Sequence, residues 1–127
     1  MVPTITALKP VPKAMEDILV ANPDINLLVA ENDAMAMGAL KAINEAGKAA
    51  NIAVAGFDGQ KEAYELIKEG KYAATALNSP EELARLVVEA VVSYLNGVKQ
   101  IDKVIYTAPV LITKENVDKY YDPKALF

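Results

Sequence analysis

Leu27-Leu28-Val29-Ala30-Glu31-Asn32-Asp33 decides how this chain folds. Four consecutive apolar residues run directly into three polar ones. A strand with no polar position expects burial on both faces, the mark of a parallel sheet. The polar triplet then opens a helix, predicted from Asp33 to Ala46 and closed by Gly47. The same pattern recurs downstream. Ile52-Ala53-Val54-Ala55-Gly56-Phe57 is a second apolar strand, followed by Asp58-Gly59 and a helix from Lys61 to Glu69 that stops at Gly70. Ala73 to Leu77 is a third, followed by Asn78-Ser79.

Ser79-Pro80-Glu81-Glu82 is the clearest local signal. It combines a serine N-cap, a proline at the first helical position and a capping-box glutamate. The charged first turn suits the helix dipole, so Glu81 and Glu82 do not read as a catalytic pair. That helix is expected to reach Leu95 and end at Asn96-Gly97. A last strand is expected over roughly Val104 to Ile112, with Pro109 marking a break or an edge position. Upstream, Thr4 to Leu8 reads as a short strand, and Pro12 to Asn22 as a helix with Met15, Ile18 and Leu19 on one face. The tail from Lys114 to Phe127 is expected to pack across the surface.

Alternating strands and helices imply right-handed crossovers and an α/β fold of the three-layer, flavodoxin-like kind, with a mostly parallel sheet of about five strands. The 127 residues, 53% hydrophobic, fit one domain and leave no room for a second. A net charge of −4 argues against nucleic acid and anionic membranes, since nothing neutralises phosphates. No apolar run reaches membrane-spanning length. Histidine and cysteine are both absent. With no phosphate-binding glycine loop and no carboxylate cluster either, no catalytic residue, metal ligand or cofactor is assigned. Met1-Val2-Pro3-Thr4 lacks the charged and apolar regions of a secretion signal.

Ligands of open parallel sheets bind beyond the carboxyl ends of the strands. The residues there are Glu31-Asn32-Asp33, Asp58-Gly59 and Asn78-Ser79. An aspartate accepts two hydroxyl hydrogens and an asparagine both donates and accepts, so these groups suit a polyol. They are also ordinary helix caps, and either role, or both together, fits the pattern.

Val29 to Leu40, with Asn32 in its turn, resembles the segment that supplies a sugar-binding asparagine in periplasmic sugar-binding proteins of the ribose-binding type. Val54-Ala55-Gly56-Phe57-Asp58-Gly59 resembles their strand ending in a ligand-binding aspartate. Ala73 to Asn78 resembles a strand whose last position is often a glutamine. Tyr120-Tyr121-Asp122-Pro123 resembles the C-terminus of many members. The resemblance implies that Asn32, Asp58 and Asn78 hold a monosaccharide, and that Asp33 caps its helix. It further implies a single incomplete lobe of an ABC-transporter solute-binding protein, periplasmic or lipid-anchored outside the cell, which works with a missing N-terminal lobe and a membrane permease. Lys9-Pro10-Val11-Pro12 stands where the family carries a longer segment with an aromatic that stacks on the sugar. An effector domain of a lactose-repressor-type regulator and an engineered folding fragment are the alternative readings. Without the first strand and helix of the lobe, one sheet face lacks cover, and a homodimer is expected.

Overall fold

Apolar strands and amphipathic helices alternate in space as they do along the chain. A computed structural model describes residues 11–125. Helix α1 (Val11–Ala21) leads into strand β1 (Leu27–Val29), and α2 (Asp33–Glu45) into β2 (Ala53–Asp58). Helix α3 (Lys61–Lys68) precedes β3 (Ala74–Leu77), and α4 (Pro80–Leu95) precedes β4 (Val110–Thr113). A short 3₁₀ turn, Val117–Lys119, begins the tail. The strand expected at Thr4–Leu8 and the segment Lys9-Pro10 lie outside the described residues.

The described strands form one sheet in the order β1-β2-β3-β4. β1, β2 and β3 run parallel, and β4 is antiparallel to β3. The α/β class and the mostly parallel sheet are as expected. The last strand is not. It starts at Val110, immediately after Pro109, and not at Val104. Two constraints set this boundary. Proline has no N–H for a ladder. All four residues of β3 are already paired with Val110–Thr113, so β3 offers no backbone to residues 104–109.

Side chains alternate across a strand, and the register sorts them cleanly. Leu28 pairs with Val54, Gly56 with Thr75, and Thr75 with Ile112. This face carries the core, which continues through Met15 and Leu19 of α1, Ala36, Leu40 and Ile43 of α2, and Ile67 of α3. α1 packs on α2, α2 on β2 and α3 on β3. The opposite face holds Leu27, Val29, Phe57 and Leu111. Leu27 and Val29 are 51% and 53% exposed, and Leu111 is 62% exposed. Burial of β1 on both faces is therefore not achieved among the described residues. α4 buries none of its residues, and its Leu83, Val87, Val88, Val91 and Val92 stay about half exposed.

The tail docks on α3. The Tyr121 hydroxyl donates to Glu65 at 3.0 Å, and the Lys68 ammonium lies 4.4 Å from the Tyr121 ring centre. The same ammonium pairs with Asp118 at 2.9 Å. These exposed contacts orient the tail and add little stability.

Candidate functional site

The three strand-end residues singled out by the sequence lie at one end of the sheet. β1 ends with the Ala30 amide donating to the Ala55 carbonyl at 3.0 Å, and the chain turns through Glu31 to Asn32. β2 ends on Asp58, in register with Leu77. The Asn78 amide then donates to the Asp58 carbonyl at 3.0 Å, so these two residues are neighbours across the strand ends.

Asn32 is the N-cap of α2. Its Oδ1 accepts from the Met35 amide at 2.8 Å, and its amide NH₂ has no partner among the described residues. No described residue hydrogen-bonds the Asp58 carboxylate or the Asn78 side-chain amide. All three side chains are half-buried, and no fully buried side-chain polar atom among the described residues lacks a partner. The unused donors and acceptors therefore face solvent. Asp58 is also the one described non-glycine residue with positive φ, at 116°. Such backbone costs an L-residue about 1–3 kcal/mol and persists only where its surroundings over-determine it.

Asp33 bonds the two residues that follow Asp58, and here the sequence reading needs correcting. Asp33 does not cap α2. It is completely buried. One carboxylate oxygen, Oδ2, accepts from the Gly59 amide, the Gln60 amide and the Thr75 hydroxyl, each at 2.9 Å. Oδ1 accepts from the Tyr72 hydroxyl at 2.8 Å. Taking a carboxylate out of water costs several kcal/mol unless its lone pairs are satisfied. Four donors meet that requirement, and hydrogen bonds to a charged group return about 1.5–3 kcal/mol apiece. Two adjacent polar residues open α2, and both are good caps, so the sequence could not say which one turns inward. The overlooked signals were Thr75, the sole hydroxyl in the apolar strand Ala73–Leu77, and Tyr72 just before it.

The glycines of Gly56-Phe57-Asp58-Gly59 follow from this carboxylate. A Cβ at Gly56 would stand 2.1 Å from the Tyr72 hydroxyl and 2.5 Å from Asp33 Oδ1. Gly59, at φ 81°, brings its amide to Asp33 in a conformation that side chains resist. A Cβ there would meet the Tyr64 hydroxyl at 2.7 Å.

Asn32, Asp58 and Asn78 lie outside the two main cavities of the described residues. A cavity of about 620 Å³ opens beside them, between Gly59, Tyr64, Leu77, Ser79 and Tyr120. Another, of about 570 Å³, lies among Asn26, Asn44, Asn51 and Tyr72. Neither includes the three. Among the described residues no group of three or more acids could hold a metal ion. The arrangement can grip hydroxyl groups from one side.

Two outcomes follow from this packing. Gly56→Ala forces the Asp33–Tyr72 pair apart and should lower stability by about 1–3 kcal/mol, read as a lower urea midpoint. Burial, and then the Asp33 carboxylate, hold the Tyr72 phenol above its ordinary 10.0. A raised phenol contributes stability that is complete below pH 10 and is lost as pH climbs toward the folded-state value. Stability should therefore be level from neutral pH to about 9 and fall above 10. Tyr72→Phe should flatten that alkaline fall in pH-dependent urea titrations.

The chain matches the family described as the periplasmic binding protein domain over residues 11–99. It is 46% identical over 96 residues to the ribose import binding protein of Bacillus subtilis, covering 76% of this chain and 30% of that protein. It is 41% identical over 85 residues to the ribose import binding protein of Salmonella typhimurium, covering 67% and 28%. An ABC transporter periplasmic solute-binding protein from Actinobacillus succinogenes, solved with bound D-allose, superposes with a TM-score of 0.80. The identity is 35%, and the superposition covers 87% of this chain and 38% of that one. The chain thus spans about 30% of the length of the curated relatives it matches. The family match, the parallel sheet and the polar strand ends agree: this chain belongs to the periplasmic binding protein family.

Proposed function

We propose that this chain supplies one side of a monosaccharide site in an ABC-transporter solute-binding protein, with Asn32, Asp58 and Asn78 bonding the sugar hydroxyls. The carrying observation is their unpartnered hydrogen-bonding groups at one end of the sheet, one of them on a strained residue. An ionised Asp58 accepts from two hydroxyls, and the asparagines donate to ring or hydroxyl oxygens. The names of the relatives support a monosaccharide, and those relatives are transport proteins, not enzymes. In the whole protein a second lobe closes over the opposite side of the sugar, outside the cytoplasmic membrane, and presents it to a permease.

Half a clamp binds poorly. Sites that hold small ligands tightly bury most of the ligand surface. Halving a binding free energy of about −8.2 kcal/mol turns micromolar affinity into millimolar. Calorimetry of this chain with ribose, xylose, galactose or glucose should show no saturable heat below millimolar concentration. Ribose at tens of millimolar, on the order expected from that halving, should shift the NMR signals of Asn32, Asp58 and Asn78. Asn32→Ala and Asp58→Ala should abolish the shifts. Micromolar binding, or shifts confined to other residues, would overturn the assignment.

The bare apolar surface supports a homodimer. Leu27, Val29, Phe57 and Leu111 on one sheet face, Leu83, Val87, Val88, Val91 and Val92 of α4, and Val104, Ile105 and Tyr106 are exposed in the single chain. Contiguous apolar area beyond a few hundred Å² is uncommon on monomers and marks association. A second copy covers such a face reciprocally, because a twofold interface uses the same patch twice. Light scattering over a dilution series should report a dimer that dissociates at low concentration. A 13.6 kDa monomer held through high micromolar concentration would exclude it.

A further inference from the structure

We propose that the buried carboxylate of Asp33 is a positioning residue for the ligand groups, which holds Asp58 in its positive-φ conformation. This rests on the reading of Asp58 as a sugar-binding residue. The two amides that follow Asp58 in the chain, those of Gly59 and Gln60, both donate to Asp33 Oδ2. Two successive N–H groups converging on one oxygen fix the peptide planes after Asp58, and so fix the turn that Asp58 must make to enter them. The same oxygen takes the Thr75 hydroxyl from the neighbouring strand. Thr75 also accepts from the Gly59 amide at 3.2 Å, which closes the network.

Asp33 is bonded to Asn32 along the chain and reaches across to the residue after Asp58, while Thr75 lies three residues before Asn78. One carboxylate therefore links the turn after β1, the turn after β2 and Thr75 within β3. Its own side chain is fully buried and cannot touch a sugar from there. It acts through the backbone, by setting the spacing and aim of the groups that do. The two oxygens are unequally loaded, with three donors on Oδ2 and the Tyr72 hydroxyl alone on Oδ1. An asparagine in this place can put its carbonyl oxygen where three donors converge. Its NH₂ then donates to the Tyr72 oxygen, which can accept. An alanine can do neither.

The test compares Asp33→Ala, Asp33→Asn and Tyr72→Phe in the intact chain by NMR. The Asp58 HN–Hα coupling and Cα and Cβ shifts report its φ. Asp33→Ala should move Asp58 to an ordinary negative φ. It should also weaken the millimolar ribose response at Asn32, Asp58 and Asn78 about tenfold, the effect of one misplaced charged contact. Asp33→Asn should restore both. Tyr72→Phe, which removes a donor but leaves Gly59 and Gln60 bonded, should lower stability while keeping Asp58 in place. Should Asp33→Ala fail to fold, scalar couplings across the hydrogen bonds, from the Gly59 and Gln60 nitrogens to the Asp33 carboxylate carbon, decide the matter in the unaltered chain. Their absence would overturn the proposal. So would an Asp33→Ala chain that keeps positive φ at Asp58, or a Tyr72→Phe chain that loses it. A ribose response missing from the unaltered chain would refute the sugar site alone, since the φ readout stands without ligand.

Discussion

One buried carboxylate organises the strand-end region of this chain. The Asp33 carboxylate follows β1, and four donors converge on it, two from the turn after β2 and two from β3 and the residues leading into it. The low-dielectric interior strengthens each bond and makes any missing one expensive. The surroundings are shaped to permit this. Gly56 leaves room for the Asp33 and Tyr72 oxygens, and Gly59 takes the left-handed turn that aims its amide inward. The strain at Asp58 is then sustained by interactions made elsewhere, a common arrangement where a polar group must be held ready for a ligand.

The same lobe is well packed on one side and open on the other. α1, α2 and α3 cover the face that carries Leu28, Val54, Thr75 and Ile112, and the core there is continuous. Leu27, Val29 and Leu111 face away from it and remain exposed. α4 has strong local reasons to be helical, with the Ser79 hydroxyl accepting from the Glu82 amide at 3.1 Å and a proline in its first turn. Its local order does not depend on burial, because capping and propensity act within the helix while packing needs a partner surface.

From Val11 onward, the order of strands and helices, most helix starts and stops and the polar strand ends were legible in the sequence, because they are written in local patterns: apolar runs, caps and glycines. Glu31-Asn32-Asp33, Asp58 and Asn78 stand out by position, as the polar residues just beyond apolar strands, and the family resemblance, not position, points to Asn32 within the first group. What the local pattern could not separate was the division of labour between Asn32 and Asp33. Both are helix-opening residues, and each would satisfy the first-turn amides. Asn32 is still in extended backbone while Asp33 begins the helix, so the two side chains part, Asn32 half-buried at the strand end and Asp33 in the interior.

The sequence by itself determined the fold class, the strand ends and the chemistry available there, since periodicity and capping are properties of neighbouring residues. Only the tertiary structure decided that Asp33 is a buried hub and not a cap, because its partners Gly59, Tyr72 and Thr75 lie 26 to 42 residues away in the chain. It alone decided that the last strand begins after Pro109, where β3 has no more backbone to offer. It also decided which face of an entirely apolar strand is covered. An apolar run declares that both faces can be buried, but only the presence of a packed element on each side makes them so.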